Sequence, residues 1–184
     1  MELDDGLQRV FDALVDGDLG EADLTTRRLT SFLGVSTTYI YHHHGSLDGF
    51  LLRVAQLGFA LLAQNLTGGL DDMATTYVTF GLRHPSLYRL MMERPYDWTA
   101  RDDEAPLREG AALLLWERLA HRLHASGVQP AHVASELRLL LSTLHGAILL
   151  AQSGRANVMD TSVSDEDAAL AVAQAAVGRL RSAT

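Results

Sequence analysis

The stretch TTRRLTSFLGVSTTYIYHHHGSLDGFLLRVA, residues 25 to 55, decides the fold of this chain. Thr25 is a good N-cap, and Leu24 and Leu29 stand where a hydrophobic staple clasps a first helical turn. Leu29, Phe32 and Leu33 then form the buried side of a short helix, about 26 to 32. Gly34 breaks the pattern, Ser36 offers a fresh cap, and Val35 with Ile40 repeats the staple for a second short helix, about 37 to 43. Two such helices joined by a Gly-containing turn of about three to four residues make a helix-turn-helix.

The segments on either side obey the same helical rule. Ser46 caps a longer helix that carries Leu47, Phe50, Leu51, Val54, Leu57 and Leu61 and runs to about Asn65, where Thr67-Gly68-Gly69 interrupts it. Upstream, Leu3, Leu7, Val10, Phe11 and Leu14 form the stripe of an amphipathic helix from about 3 to 16, stopped by Asp16-Gly17-Asp18. Downstream, helices are expected at about 71 to 83, 85 to 93, 106 to 126, 131 to 152 and 165 to 181. His84-Pro85, Arg94-Pro95, Gly127 and Gln129-Pro130 separate them, and Ser164 with Asp167 approximates a capping box. No alternation of period two appears. The expectation is an all-α chain with a helix-turn-helix DNA-binding domain at 1–48 and a larger helical domain for ligand binding and dimerisation at 49–184.

Composition removes several kinds of chemistry. The 184 residues include no Cys, which excludes disulfides, thiolate catalysis and sulfur-ligated metal sites. There is neither a basic start followed by an apolar run nor an uncharged apolar stretch of about 18 residues, so a cytoplasmic protein with no membrane partner is expected. All fifteen basic residues are Arg, and the net charge of -8 argues against general adhesion to nucleic acid. A local DNA-reading surface stays open.

Such a surface is what the second short helix offers, since a helix-turn-helix lays that helix in the major groove with its first residues at base edges. With Ile40 pointing inward and about 100° per residue, Thr38 and His42 lie about 160° away on the opposite face, Tyr39 and Tyr41 about 100° to either side, and Thr37 and His43 about 60° away; Thr37, Thr38, Tyr41 and His42 are expected to face outward, with Tyr39 and His43 on the flanks. Thr37 and Thr38 are the candidate base readers, because a hydroxyl donates or accepts and a methyl touches thymine. Tyr39, Tyr41 and His43 suit phosphate oxygens. The helix starts at Thr25, Thr26, Ser36 and Ser46 add backbone N–H groups for phosphate, and Arg27 and Arg28 supply the nearest full charges.

The same stretch resembles the TetR family of transcriptional regulators. The features that match are Thr25-Thr26-Arg27, Leu29, the turn Leu33-Gly34-Val35-Ser36, Ile40-Tyr41 and His43. A second resemblance lies in GLRHPSLYRLMM at 81–92 and LHGAILLAQSG at 144–154, which look like one class of TetR ligand domain. The resemblance implies a dimeric DNA-binding repressor released by a small-molecule inducer. Two departures stand out: Leu47 occupies a place where the family commonly has Lys, and acidic residues outnumber Arg in the first sixty positions.

Tyr77, Phe80, Tyr88, Met91, Met92, Trp98 and Trp116 concentrate bulky, adaptable apolar groups that either form core or line a ligand cavity between helices. They suit an apolar or aromatic effector, with His145, Arg89 or Tyr88 as polar anchors. Leu137, Leu140, Leu141, Leu144, Ile148 and Leu149, with Ala169, Leu170, Val172, Ala173, Ala176 and Val177, offer apolar faces for a four-helix contact between two subunits. Core packing within one subunit is the alternative use of those faces.

His42, His43 and His44 cannot converge on one ion, because adjacent helical residues diverge by about 100°. His44 lies about 40° from Ile40 and is expected inside as a neutral ring that a backbone group can bond. Charged imidazoles at 42 and 43 would hold DNA more firmly in mild acid. Glu117, His121 and His124 share a helix face, which reads better as a solvated face than as a metal site. No nucleophile elbow or phosphate loop appears, so no catalytic residue, cofactor or metal is expected. The leading reading is a homodimeric ligand-responsive repressor on a near-palindromic operator. The alternatives are a helix-turn-helix dimer with weak or lost DNA binding that acts as a ligand or protein module, and, last, a histidine-metal enzyme.

Overall fold

A computed structural model of the chain describes residues 3–95 and 110–182. The described residues form nine α-helices and no strand. They are α1 (Leu3–Asp16), α2 (Thr26–Leu33), α3 (Thr37–His44), α4 (Leu47–Asn65), α5 (Leu70–Arg83), α6 (Pro85–Met92), α7 (Ala111–Ala125), α8 (Val133–Gln152) and α9 (Asp165–Ser182). The protein is therefore all-α, with breaks at the Gly and Pro positions that punctuate the sequence. A 3-10 turn at Glu21–Asp23, held by Gly20 N–H donating to Asp23 Oδ2 at 3.0 Å, has no counterpart in the sequence reading. The expected start of α7 at 106 lies outside the described residues, as does Trp98.

The helices divide into two units, with breaks after Leu61, Arg83 and Leu113. The first holds α1, α2, α3, most of α4, and α6. Val10, Leu29, Ile40, Phe50, Leu51, Val54, Leu87 and Tyr88 are all at 0% exposure and form its centre. Each such side chain contributes about 1.5–3 kcal/mol of burial. Gly58 on α4 allows α6 to approach closely, because a Cβ there would stand 2.6 Å from Met91 Sδ and 3.0 Å from Leu87 Cδ1. His84, at the N-terminal end of α6, places Nδ1 3.0 Å from the Val15 carbonyl oxygen at the end of α1. Arg94 pairs with Asp48 at 2.6 Å, and Arg89 stands 3.5 Å from Glu21.

The second unit holds α5, the greater part of α7, α8 and α9. Helices α5, α8 and α9 pack on one another. Gly81 sits against Ile148, where a Cβ would come within 2.7 Å of Cδ1, and Gln152 Nε2 donates to the Gly81 carbonyl at 3.0 Å. Arg181 pairs with Asp71.

Two sequence expectations change here. Phe32 is not on the buried side of α2: it is 37% exposed and is shielded only in part by Arg9 from α1, whose guanidinium carbon lies 5.6 Å from the ring centroid. In α8 and α9, Leu140, Leu144, Ile148, Ala169, Ala173 and Val177 are buried inside the chain, so these six are core rather than subunit interface.

Candidate nucleic-acid interface

The geometry of the α2–α3 pair begins at Gly34, whose φ of 70° and ψ of 32° are left-handed values that a side chain disfavours. Its N–H reaches back to the Ser31 carbonyl at 3.3 Å, and Val35 N–H to that of Thr30 at 3.0 Å, which closes α2 and turns the chain into α3. Arg9 adds its Nη1 and Nη2 to the Leu33 and Phe32 carbonyl oxygens at 3.4 and 3.3 Å. Thr30 is buried, its hydroxyl donating to the Thr26 carbonyl at 2.8 Å. Arg9 and Thr30 thus support the motif without a local sequence signal: one acts across 24 positions, the other reads as an ordinary polar residue.

Behind α3, Ile40 is completely buried, while Thr37, Thr38, Tyr41 and His42 are exposed together: helical spacing puts Thr38 and His42 opposite Ile40, and Thr37 is exposed at the first position of the helix. Tyr41 alone leaves 55% of its surface accessible. Tyr39 is half-buried, its ring 4.7 Å from that of exposed His43. The three helix starts differ. Thr25 Oγ1 accepts the Arg28 N–H at 3.4 Å, and Ser46 Oγ accepts the Gly49 N–H at 2.9 Å. Ser36 stands at the N-cap of α3 but makes no side-chain cap bond. The Tyr39 N–H instead reaches the Ser36 carbonyl oxygen at 3.1 Å.

Charge at this surface is sparse. Exposed Arg28 has Asp23 Oδ1 3.8 Å from its Nε, and Arg27 has no ion-pair partner among the described residues. Thr26 is half-buried.

The histidine run separates as helical angles require. His42 and His43 are exposed, and His44 is 7% exposed, its ring set edge-on to Phe50. Neither ring nitrogen of His44 has a hydrogen-bond partner, so the expected backbone bond is absent. Removal from water, with the nearby charges of Arg53 and His43, lowers its pKa to about 4.

The residues expected to line a ligand site are distributed over both units. In the first, Tyr88 and Met91 are buried and Met92 is half-buried. In the second, Tyr77 and Phe80 are buried, and Trp116 and His145 are half-buried. Arg89, one expected polar anchor, lies among carboxylates, with Glu93 at 3.8 Å in addition to Glu21.

Of the Glu117, His121 and His124 set, Glu117 and His121 line an open pocket of about 420 Å³ with Arg118 and Arg122. His124 Nδ1 lies 3.3 Å from the Val128 carbonyl oxygen. No three metal-ligating side chains converge among the described residues.

On α8 and α9, Leu139 is 62% exposed, Leu150 50% and Val172 40%. Leu139, Thr143, Val172, Ala175, Ala176 and Arg179 border a groove of about 390 Å³. Helix α8, of 20 residues, is long and apolar enough to cross a membrane, yet little of it is buried inside the chain. Helix α4 is also long and apolar enough, but it carries Asp48 and Arg53 and about half of it is buried.

The described residues thus hold a helix-turn-helix within an all-helical chain. Residues 70–177 match the family model described as tetracyclin repressor-like, C-terminal domain. That match spans more than half of the chain, and the protein belongs to the TetR family. No curated protein matches the chain.

Proposed function

We propose that this TetR-family protein is a ligand-responsive transcriptional repressor that binds a near-palindromic operator as a homodimer in the cytoplasm. The observation that carries the reading is the face of α3: Thr37, Thr38, Tyr41 and His42 are exposed together while Ile40 locks the helix from behind. In this reading residues 1–48 hold the DNA, with Thr37 and Thr38 at base edges. Tyr39, Tyr41, His43, Arg27 and the helix starts at Thr25, Ser36 and Ser46 meet the backbone. Residues 49–184 bind the effector and the second subunit.

The under-covered apolar face of α8 and α9 supports pairing of two copies, which would set two recognition helices about 34–36 Å apart. A small apolar or aromatic effector then favours a dimer with a different spacing, and DNA and effector weaken each other's binding reciprocally. Regulation without enzymatic activity follows from this arrangement.

Selection of bound sequences from random DNA at low salt tests the reading. The expected product is an inverted repeat whose half-sites lie about one helical turn apart. Recovery of no common sequence would overturn it.

A further inference from the structure

Helix α7 carries a basic face that neither the core nor the α2–α3 surface uses. Arg118, His121 and Arg122 are exposed there and, with Glu117, line a depression of about 420 Å³ inside the second unit. Its remaining wall comes from Leu66, Thr67 and Gly68, which follow α4, from Met73 on α5, and from Leu114. Leu66 and Met73 are 4% and 1% exposed, whereas Leu114 is 54% exposed. The volume lies in the range of small-molecule sites, and the lining joins an apolar patch to a cluster of cations.

The charges are arranged for an outside anion. Arg118 and Arg122 stand one helical turn apart, where like charges oppose the helix. Glu117 is the one carboxylate in the lining, and among the described residues it forms no ion pair with either arginine. Arg118 has a structural use: its Nη1 donates to the Ala63 carbonyl at 2.5 Å, in the last turn of α4, where carbonyl oxygens lack a helical partner. That bond fixes its guanidinium at the site. Arg122 has neither an ion pair nor a side-chain hydrogen bond among the described residues, although a chain of net charge -8 has carboxylates in excess. The start of α5 is already capped, because Asp72 Oδ2 accepts the Gly69 N–H at 2.9 Å, so an anion here meets the arginines rather than a helix end.

We propose that this depression binds an apolar monocarboxylate, an aromatic acid of one or two rings, with Arg122 as its anchor. Its service as the effector site rests on the reading of the protein as effector-responsive. The planar fork of Arg122 meets both oxygens of a carboxylate, which a neutral amide of the same shape cannot match. Arg118 and Arg122 against Glu117 leave an excess of one positive charge with His121 neutral, the complement of a monoanion. The ring body then covers Leu66, Met73 and Leu114. Inorganic phosphate brings charge but nothing to cover that apolar patch.

The test uses the full chain with naphthoate, naphthamide and inorganic phosphate as probes. Binding is measured by calorimetry and by the ring C–H signals of His121, assigned by their absence from His121→Gln. Naphthoate is expected to shift those signals and to bind at least about tenfold more tightly than naphthamide. Arg122→Gln is expected to remove that preference, whereas Leu114→Ala should weaken both organic probes alike. Both positions are exposed, and an unchanged circular dichroism spectrum shows that the variants fold. Equal affinity for naphthoate and naphthamide in the native chain, unchanged naphthoate affinity in Arg122→Gln, no shift of the His121 signals, or displacement of naphthoate by an equal concentration of phosphate overturns the proposal.

The regulator reading stands or falls on a separate measurement. If naphthoate binds through Arg122 while operator affinity stays constant, the effector role fails and the binding site survives. If naphthoate releases DNA equally from the native chain and from Arg122→Gln, the effector reading survives and this site fails.

Discussion

The ring of His44 stands edge-on to that of Phe50, with centroids 4.9 Å apart and planes at 86°, at the corner where α3 passes into α4. A histidine in this position acts as an aromatic residue, and its two unbonded nitrogens make the charged form expensive. Burial first, then Arg53 and His43, hold its pKa at about 4, below the 6.5 of an unfolded chain.

The stability consequence has a definite sign. Between those two values the unfolded chain binds the extra proton, so the contribution is complete above about pH 6.5, falls as pH drops toward 4, and levels off below. A shift of this size corresponds to about 3 kcal/mol across the window. Replacing the ring by a hydrocarbon one, His44→Phe, is expected to flatten the decline between pH 6.5 and pH 4.5, read as the difference in thermal midpoint between the two proteins. Parallel profiles would mean that the imidazole reaches water or a partner in the folded chain.

Arg9 offers a second test. Its guanidinium bonds the last carbonyl oxygens of α2 and lies over Phe32, so one side chain closes the end of a helix and shields its exposed aromatic. Arg9→Ala is expected to lower unfolding free energy by about 1–2 kcal/mol, measured by urea denaturation. Arg9→Lys restores the charge but not the planar fork, and should recover less than half of the loss. Full recovery with Lys would show that charge alone matters at this position.

Most of the fold could be read from the sequence because the information is local. Gly34, Pro85, Gly127 and Pro130 mark ends that backbone geometry enforces, and the spacing of Leu29, Ile40 and Phe50 marks inward faces. The rest depends on partners far along the chain. Phe32 has the spacing of a core residue, and only Arg9, 23 positions earlier, makes its exposure tolerable. In α8 and α9 the periodicity revealed apolar faces but not which of them α5 would cover. Leu144 went to the core and Leu139 to the surface, although both are leucines on one helix. The exposure of Thr38 and His42 followed directly from helical angle, whereas the unbonded state of His44 could not, since a hydrogen-bond partner is a property of the neighbours.

The groove beside Leu139 bears on assembly. Leu139 and Val172 border it, and in the proposed dimer this apolar face is covered by a second copy. Leu139→Glu places a charge on each side of a two-fold contact, so the unfavourable pairing is counted twice. The expected outcome is a dimer dissociation constant at least about tenfold higher by analytical ultracentrifugation, with an unchanged helical spectrum. A variant that stays dimeric at the same concentrations would move the subunit contact off this face.

The last prediction concerns salt. Each phosphate neutralised on duplex DNA contributes about -0.9 to the slope of log affinity against log salt. On the α2–α3 surface only Arg27 and Arg28 carry full charge, and Arg28 already faces Asp23. Two subunits therefore supply about four such contacts at most, which gives a slope near about -4 at neutral pH. In the proposed complex, Thr37→Ala and Thr38→Ala should cost about 1–3 kcal/mol each on the selected operator and leave the slope unchanged, since there they remove base contacts rather than ionic ones. Arg27→Ala should do the reverse, weakening all sequences alike and reducing the slope by about 2 for a dimer. A slope as steep as about -8 would place further cations on the DNA, beyond the surface built by α2 and α3.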